Sequence, residues 1–330
     1  LAPSIAVAAK FNKYLENHKF NIRSDGRPIL GMSAIELCKI LFEIDEKFMV
    51  IPAHIWTPWF AVFGSKSGFD SMEECFGEFT KYIYAYETGL SSDPEMNWRL
   101  SALDGLTLLS NSDAHSLPNI AREANVFEMP EISYDAIYDI IKNNSAQARA
   151  KGVKSKYGEL LYTIEFYPEE GMYHYDGHRA CNLRLSPEQT KKHKGICPVC
   201  KKPLTLGVCY RVDELADRQL GFKPAGALNY KKLVELDKII AEALDIKSRF
   251  SRQVQAEYAN LIKRGGSELE ILIHKPLTEL SQFTLPEIAE GIKRVRQGNL
   301  IIEPGFDGQY GAVKIFSPQE KASNQQVKLF

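Results

Sequence analysis

No apolar run in this chain approaches the roughly 18 residues that a membrane-spanning helix needs. No stretch reads as a secretory leader either, so no membrane partner and a cytoplasmic location are expected. Charge of one sign is also missing: 41 Lys and Arg stand against 42 Asp and Glu, a formal net charge of −1. Any hold on a polyanion must therefore come from a local patch and not from the whole field of the molecule. Cysteine is scarce, six in 330 residues, which excludes a disulfide scaffold. There is no internal repeat. What is present is a 44% hydrophobic content, enough for a real core spread over two or three domains.

Four of the scarce ligand residues fall together. His178 and Cys181 form one pair two residues apart, Cys197 and Cys200 another, and the loop 182–196 is long enough to bring them face to face. That is zinc-ribbon spacing, and three thiolates with one imidazole close the coordination sphere of a structural Zn2+ with no position left for water. His174 and Cys209 are spare donors, either of which can replace His178. Cys38 and Cys75 read as ordinary buried thiols. Between His174 and Arg211 eight basic residues, including Arg179, Lys191 and Lys192, stand against two acids, Asp176 and Glu188. A concentration of this kind in a neutral protein suits a polyanion such as DNA, and a solvated loop on a domain that merely needs its metal is the alternative.

Further upstream, Ile5 to His18 repeats apolar residues at helical spacing, and Ser33 with Glu36 predicts a capping box opening a helix through Phe42. Short apolar runs at Phe48 to Ala53, Tyr82 to Tyr86 and Leu106 to Leu109 read as strands between helices, which points to a parallel sheet or barrel. The runs end in His54, in Glu87, and in Ser-Asn-Ser-Asp113-Ala-His115. Chemistry in such folds gathers at the carboxyl ends of strands. Asp113 and His115 lie two apart, so on an extended segment they point the same way and can share an ion. Oxygen and imidazole donors suit Mg2+, Mn2+ or Zn2+ used hydrolytically.

The segments I-P-A-H-I-W-T-P-W-F, F-G-S-K-S-G-F-D-S, E-T-G-L-S-S-D-P, S-N-S-D-A-H and F-Y-P-E-E-G-M-Y-H-Y-D-G-H-R-A-C resemble the endonuclease Q family over nearly the whole chain. That resemblance implies a polymerase-and-histidinol-phosphatase (PHP) metallohydrolase domain, a zinc module and a helical C-terminal region. It also implies a DNA repair endonuclease that nicks 5′ to uracil, hypoxanthine, xanthine or abasic sites and leaves 3′-hydroxyl and 5′-phosphate ends. Carried onto this sequence, it places His54, Asp113 and His115 in the PHP metal cluster, with Glu87 as ligand, supporting partner or base. PHP sites begin with an H-x-H pair that does not precede Leu1 here, so the chain looks like a member without its N-terminal strands.

A lesion inside a duplex must leave the stack to be inspected. Trp56, Trp59, Phe60 and Phe63 directly follow His54 and are candidates for an aromatic wall against such a base, or for packing at the barrel rim. Lys66 lies in a Gly-Ser loop suited to phosphate.

Tyr134 to Lys142 reads as a helix, Asn143 to Lys156 as a linker, and Leu160 to Tyr167 as a strand. Helical spacing returns at Leu233–Leu244, Val254–Lys263, Glu268–His274 and Pro286–Arg296, where Lys293, Arg294 and Arg296 lean toward phosphate contact. Ile301 to Phe316 predicts two strands around a glycine-rich turn. The closing Gln326-Val-Lys-Leu-Phe330 resembles the peptide by which bacterial repair enzymes dock on the sliding clamp, with Gln326, Leu329 and Phe330 as anchors.

The expected protein is α/β: a partial PHP-type distorted β/α barrel over 1–168, a zinc-ribbon-like module over 169–215, a small, mostly helical domain over 216–318, and a flexible tail over 319–330. Its expected partner is damaged DNA, double- or single-stranded. Two other readings compete: a damaged-DNA binder with an incomplete catalytic site, and a PHP phosphoesterase acting on small phosphate esters.

Overall fold

The computed structural model describes residues 1–23 and 29–320, so the clamp-like anchors Gln326, Leu329 and Phe330 lie outside the described residues. The architecture is mixed α/β and falls into two compact units. One comprises Leu1–Asn111, Ala124–Thr163 and Val208–Asn229. The other comprises Ser112–Glu123, Ile164–Gly207 and the residues from Tyr230 on. No helix among the described residues is long and apolar enough to cross a membrane.

In the first unit the predicted helix starts hold. Ser4 accepts from the Val7 amide to open the helix Ile5–Asn17. Ser33 and Glu36 form the reciprocal capping box of the helix Ala34–Ile44, each side chain taking the other's backbone N–H. The runs ending at Glu87 and Leu109 become two parallel strands, β1 (Ala85–Glu87) and β2 (Thr107–Leu109), with Tyr86 opposite Leu108. Every residue of both is buried. Tyr86 and Leu108 enter a cluster with Trp56, Phe63 and Val212, while Ala85 and Leu109 enter a second with Met49, Ile140 and Leu160. Side chains alternate along a strand, so a parallel pair covered on both faces shows in sequence as an unbroken apolar run. No sheet among the described residues exceeds three strands, so they form no closed barrel.

Phe48–Ala53 was expected as a strand and is extended chain instead. Pro52 has no N–H to donate, so the segment cannot continue a ladder. It is tied to β1 at its end, where the Glu87 amide donates to Pro52 O and the Ile55 amide to Glu87 O. The expected linker also contains a helix, Ala146–Ala150, capped by Ser145. β3 (Ala124–Glu128), the helix Tyr134–Lys142 and β4 (Glu159–Glu165) complete the order along this stretch. Cys38 and Cys75 are free and buried as expected, and burial pushes both thiols up to about 11.

In the second unit the helices Leu236–Ala243, Arg252–Gly265 and Pro286–Gln297 enclose Ile239, Ile240, Leu261, Ile288 and Ile292, all fully buried. Leu261→Ala should cost about 2–5 kcal/mol through lost transfer energy and the cavity left behind, read from the denaturant midpoint of the intact protein. The two arginines of the last helix are turned inward. Arg296 donates to the carbonyls of Ile271, Leu272 and Lys275, satisfying the π-helical turn Glu270–His274, and Arg294 pairs with Glu290 and Glu320. Lys293 pairs with Glu290. The phosphate role expected of Arg294 and Arg296 gives way to a structural one, because unsatisfied carbonyls claim nearby guanidinium groups, while the Lys293 side chain stays 44% exposed.

Candidate metal centre and strand-end residues

Two local turns build the metal centre. β5 (Asp176–His178) runs into a 3₁₀ turn, Arg179–Cys181, which ends at Asn182 in left-handed backbone (φ 47°) before β6 (Leu183–Leu185) returns antiparallel. The second turn repeats this: after Cys197-Pro-Val-Cys200 the chain passes through Lys201 (φ 62°), and the Cys197 amide donates to Lys202 O at 2.8 Å. The ligand atoms of His178, Cys181, Cys197 and Cys200 all lie within 4.8 Å of one another, and His178 Nδ1 stands 3.5 Å from Cys200 Sγ. Around a tetrahedral zinc, sulfur atoms at about 2.3 Å would stand about 3.8 Å apart, so the donors fit such an ion. Burial pushes the Cys197 thiol up, but hydrogen bonds from the backbone of Cys200 and Val199 and from the Cys200 and Cys181 side chains together hold the thiol below its usual value. That is how a knuckle favours thiolate. Among the described residues this is the one such cluster of three or more ligand groups. His174 is buried elsewhere and Cys209 sits on the helix Val208–Leu215, so neither spare displaces His178.

The glycine-rich segment after Glu303, whose purpose the sequence leaves open, buttresses this module. Asp307 accepts from the Arg179 amide at 2.5 Å and from Thr205 Oγ1 at 2.6 Å. Gly305 O accepts from the Tyr175 amide, and Arg184 donates to Pro304 O. A Cβ on Gly311 would stand 2.0 Å from Glu169 O, so only glycine fits there. Arg179, Lys191, Lys192, Lys194, Lys201 and Lys202 remain exposed around the module. Arg211, counted with that patch in the sequence, belongs to the first unit instead. There it ties down the distant loop 63–70 through Phe63 O, Phe69 O and Asp70.

Among the strand-end residues, His54 and Glu87 meet. The His54 amide donates to Glu87 Oε2 at 2.8 Å, and Asn111 Nδ2 donates to Oε1 at 2.8 Å, so both oxygens of this buried carboxylate are engaged. His54 Nδ1 lies 3.1 Å from Thr57 Oγ1, whose hydroxyl faces the carbonyls of His54 and Trp59. With that hydroxyl donating to a carbonyl, Nδ1 carries the proton and Nε2 keeps its lone pair, which is the metal-binding form. His54 has φ 34°, and a Cβ on Gly89 would stand 2.5 Å from His54 Cβ. Gly89→Ala should therefore displace His54, detected as a shift of its ring resonances in the NMR spectrum of the folded protein.

In the second unit Asp113 (φ 42°) and His115 are exposed neighbours, His115 Nδ1 resting 2.8 Å from Asp113 O. A carbonyl can only accept, so again Nδ1 carries the proton and Nε2 is left as donor atom. Among the described residues neither pair gains a third ligand group. The four aromatics after His54 divide. Trp56 is 1% exposed, packs at a tilt on buried Phe63 with ring centres 4.9 Å apart and donates its indole N–H to Asn97, so it is a core residue with no face for a base. Trp59 and Phe60 are exposed at 47% and 78%, and Lys66 is exposed beside them. Sequence spacing missed this division because rings at i, i+3, i+4 and i+7 read as one helical face, whereas the segment folds as a run of turns.

Residues 235–299 match a family described as the MJ0043 C-terminal domain. A protein of Methanocaldococcus jannaschii, MJ0043, is 33% identical over 286 residues, and the chain spans only 34% of that relative's length. YqxK of Bacillus subtilis is 26% identical over 322 residues, covering 94% of this chain and 72% of YqxK. Among solved structures, the lesion-specific endonuclease PfuEndoQ from Pyrococcus furiosus is 28% identical with a TM-score of 0.81, over 98% of this chain and 77% of that one. An endonuclease Q bound to a 27-mer duplex with an abasic lesion at its active site has a TM-score of 0.78, over 96% and 75%. The chain is thus similar to endonuclease Q structures along nearly its whole length.

Proposed function

We propose that this protein is a DNA repair endonuclease that nicks the phosphodiester 5′ to deaminated bases or abasic sites. The observation that carries this reading is the likeness to a lesion-specific endonuclease over 98% of the chain. The exposed lysines and arginines around the metal module supply phosphate contacts in a chain whose net charge is −1, so binding should weaken steeply with salt. The four-donor cluster is assigned to structural Zn2+. Trp59 and Phe60 are the aromatic faces offered to an unstacked base, with Lys66 beside them for phosphate.

His54, Asp113 and His115 are the proposed donors to a divalent metal (Mg2+, Mn2+ or Zn2+), which when bound would activate water and neutralise charge on the phosphate. They form no cluster of three among the described residues, so the proposal rests on their chemistry. Both imidazoles are oriented by hydrogen bonds at Nδ1, and His54 and Asp113 hold left-handed backbone, a strain that proteins retain at functional positions. Glu87, with both oxygens occupied, acts as the group that positions His54.

That His54, Asp113 and His115 form no cluster of three among the described residues favours a second reading, a damaged-DNA binder without chemistry. A deoxyinosine duplex and p-nitrophenyl phosphate separate the readings when each is incubated with the chain and Mg2+ or Mn2+. Nicking of the duplex alone is expected. Binding without nicking would install the binder, and hydrolysis of the small ester alone would install the phosphoesterase.

A further inference from the structure

The segment that carries Asp113 and His115 goes on to expose large apolar side chains. Leu117 is 82% exposed and Ile120 62% exposed, on either side of Pro118 and Asn119. Phe250 of the same unit is 63% exposed. Scattered apolar residues on a surface need no explanation, but these three are joined by one side chain. Arg249 donates from Nη2 to Asn119 Oδ1 at 3.2 Å, and its guanidinium lies 4.9 Å from the centre of the Phe250 ring. Arg249 is itself anchored to Asp237 at 3.3 Å and Glu235 at 3.5 Å, carboxylates whose side chains are only 11% exposed.

The protruding segment is braced within itself as well. Leu117–Asn119 is a 3₁₀ turn, the Ile120 amide donates to Leu117 O, and Arg122 closes the base of the segment on Ser112 O at 3.0 Å. Exposed leucine and isoleucine in a mobile loop would collapse onto the nearest apolar surface. Here the backbone and an ion-pair network hold them out.

We propose that Leu117, Ile120 and Phe250 form an apolar wedge that enters the base stack of duplex DNA and fills the space left by an extruded nucleotide; this rests on the nuclease reading above. Extruding a base costs a few kcal/mol of stacking and pairing, and apolar side chains inserted between base steps recover part of it by keeping water out of the gap. The wedge begins two residues after His115, so it would sit beside the strand being cut. Arg249 is the positioning residue, and its role ends at holding Asn119 and the Phe250 ring.

The test uses the full chain and its Leu117→Ala/Ile120→Ala double variant, with Phe250→Ala as a second. Each is given deoxyinosine in a duplex and in a single strand, with 2-aminopurine next to the lesion in the duplex. The ratio of duplex to single-strand nicking should fall at least about tenfold in the double variant, because only the duplex must be opened. The rise in 2-aminopurine fluorescence on binding should fall with it. An unchanged ratio with unchanged fluorescence would overturn the wedge, as would a variant that changes only self-association. If the wild-type chain nicks neither substrate, the nuclease reading fails by itself. Fluorescence then decides the wedge: a rise with wild type that the variant lacks upholds it, and no rise with either removes it.

Discussion

Cys197→Ser should empty the metal centre, taking bound zinc from one per chain to near zero when released metal is titrated with a colorimetric chelator. Cys197 is the fully buried ligand of the four, and its sulfur receives the N–H groups of Cys200 and Val199 that favour thiolate. A serine hydroxyl in its place stays protonated at neutral pH and binds zinc poorly. The apolar content of the module is small: Leu185, Cys197 and Leu204 are its buried cluster, with Leu183 and the other two cysteines packed against them. Metal binding of the order of ~10–16 kcal/mol, as in zinc-finger peptides, would therefore dominate its stability. Loss of the ion should open the stretch between β5 and Leu204 to proteolysis at Lys191, Lys192, Lys201 and Lys202. The helices around Leu261 have their own core and should stay folded, visible as retained helical circular dichroism. Cys38→Ser is the control, since that thiol lies in the other unit and is not one of the four clustered donors. A Cys197→Ser protein that keeps its zinc would remove the assignment.

What could be read in the sequence was whatever is encoded locally. The capping box at Ser33 and Glu36, the apolar spacing of Tyr134–Lys142, and the paired knuckles each involve residues a few positions apart whose partners are their own neighbours. The choice of His178 over His174 and Cys209 was not encoded this way. It depends on β5 pairing with β6, which aims His178 at the cysteines. The basic residues were the least legible. Arg211, Arg294 and Arg296 have the same side chain as Arg179, yet the first three spend it on backbone carbonyls, and no local pattern distinguishes them. The aromatics after His54 failed for a related reason: whether a ring faces the core or solvent was set by the turn through Phe60 (φ 56°), not by periodicity. The role of Asp307 was invisible because its partners, Arg179 and Thr205, are more than 100 positions away.

Asp113→Ala should abolish nicking of a deoxyinosine duplex, by at least about a hundredfold in kcat/KM, while leaving the melting temperature within about 2 °C. A metal ligand that stabilises phosphoryl charge supplies several kcal/mol, and each 1.36 kcal/mol is tenfold in rate. The side chain is exposed at the edge of its unit, so its removal leaves no cavity and no buried partner unsatisfied. His115 keeps its hydrogen bond in the variant, because the acceptor is the backbone carbonyl of residue 113 and not the carboxylate. The loss would thus isolate the carboxylate's own chemistry. Glu87→Gln separates the neighbouring role. A glutamine side chain offers one carbonyl oxygen where the carboxylate offers two, so it can serve the His54 amide or Asn111 Nδ2 but not both. A group that only positions His54 should lose less, about tenfold, and should raise the concentration of Mn2+ needed for half-maximal nicking. Equal losses in the two variants would make Glu87 a ligand or base in its own right, and full nicking by Asp113→Ala would remove Asp113 from the chemistry.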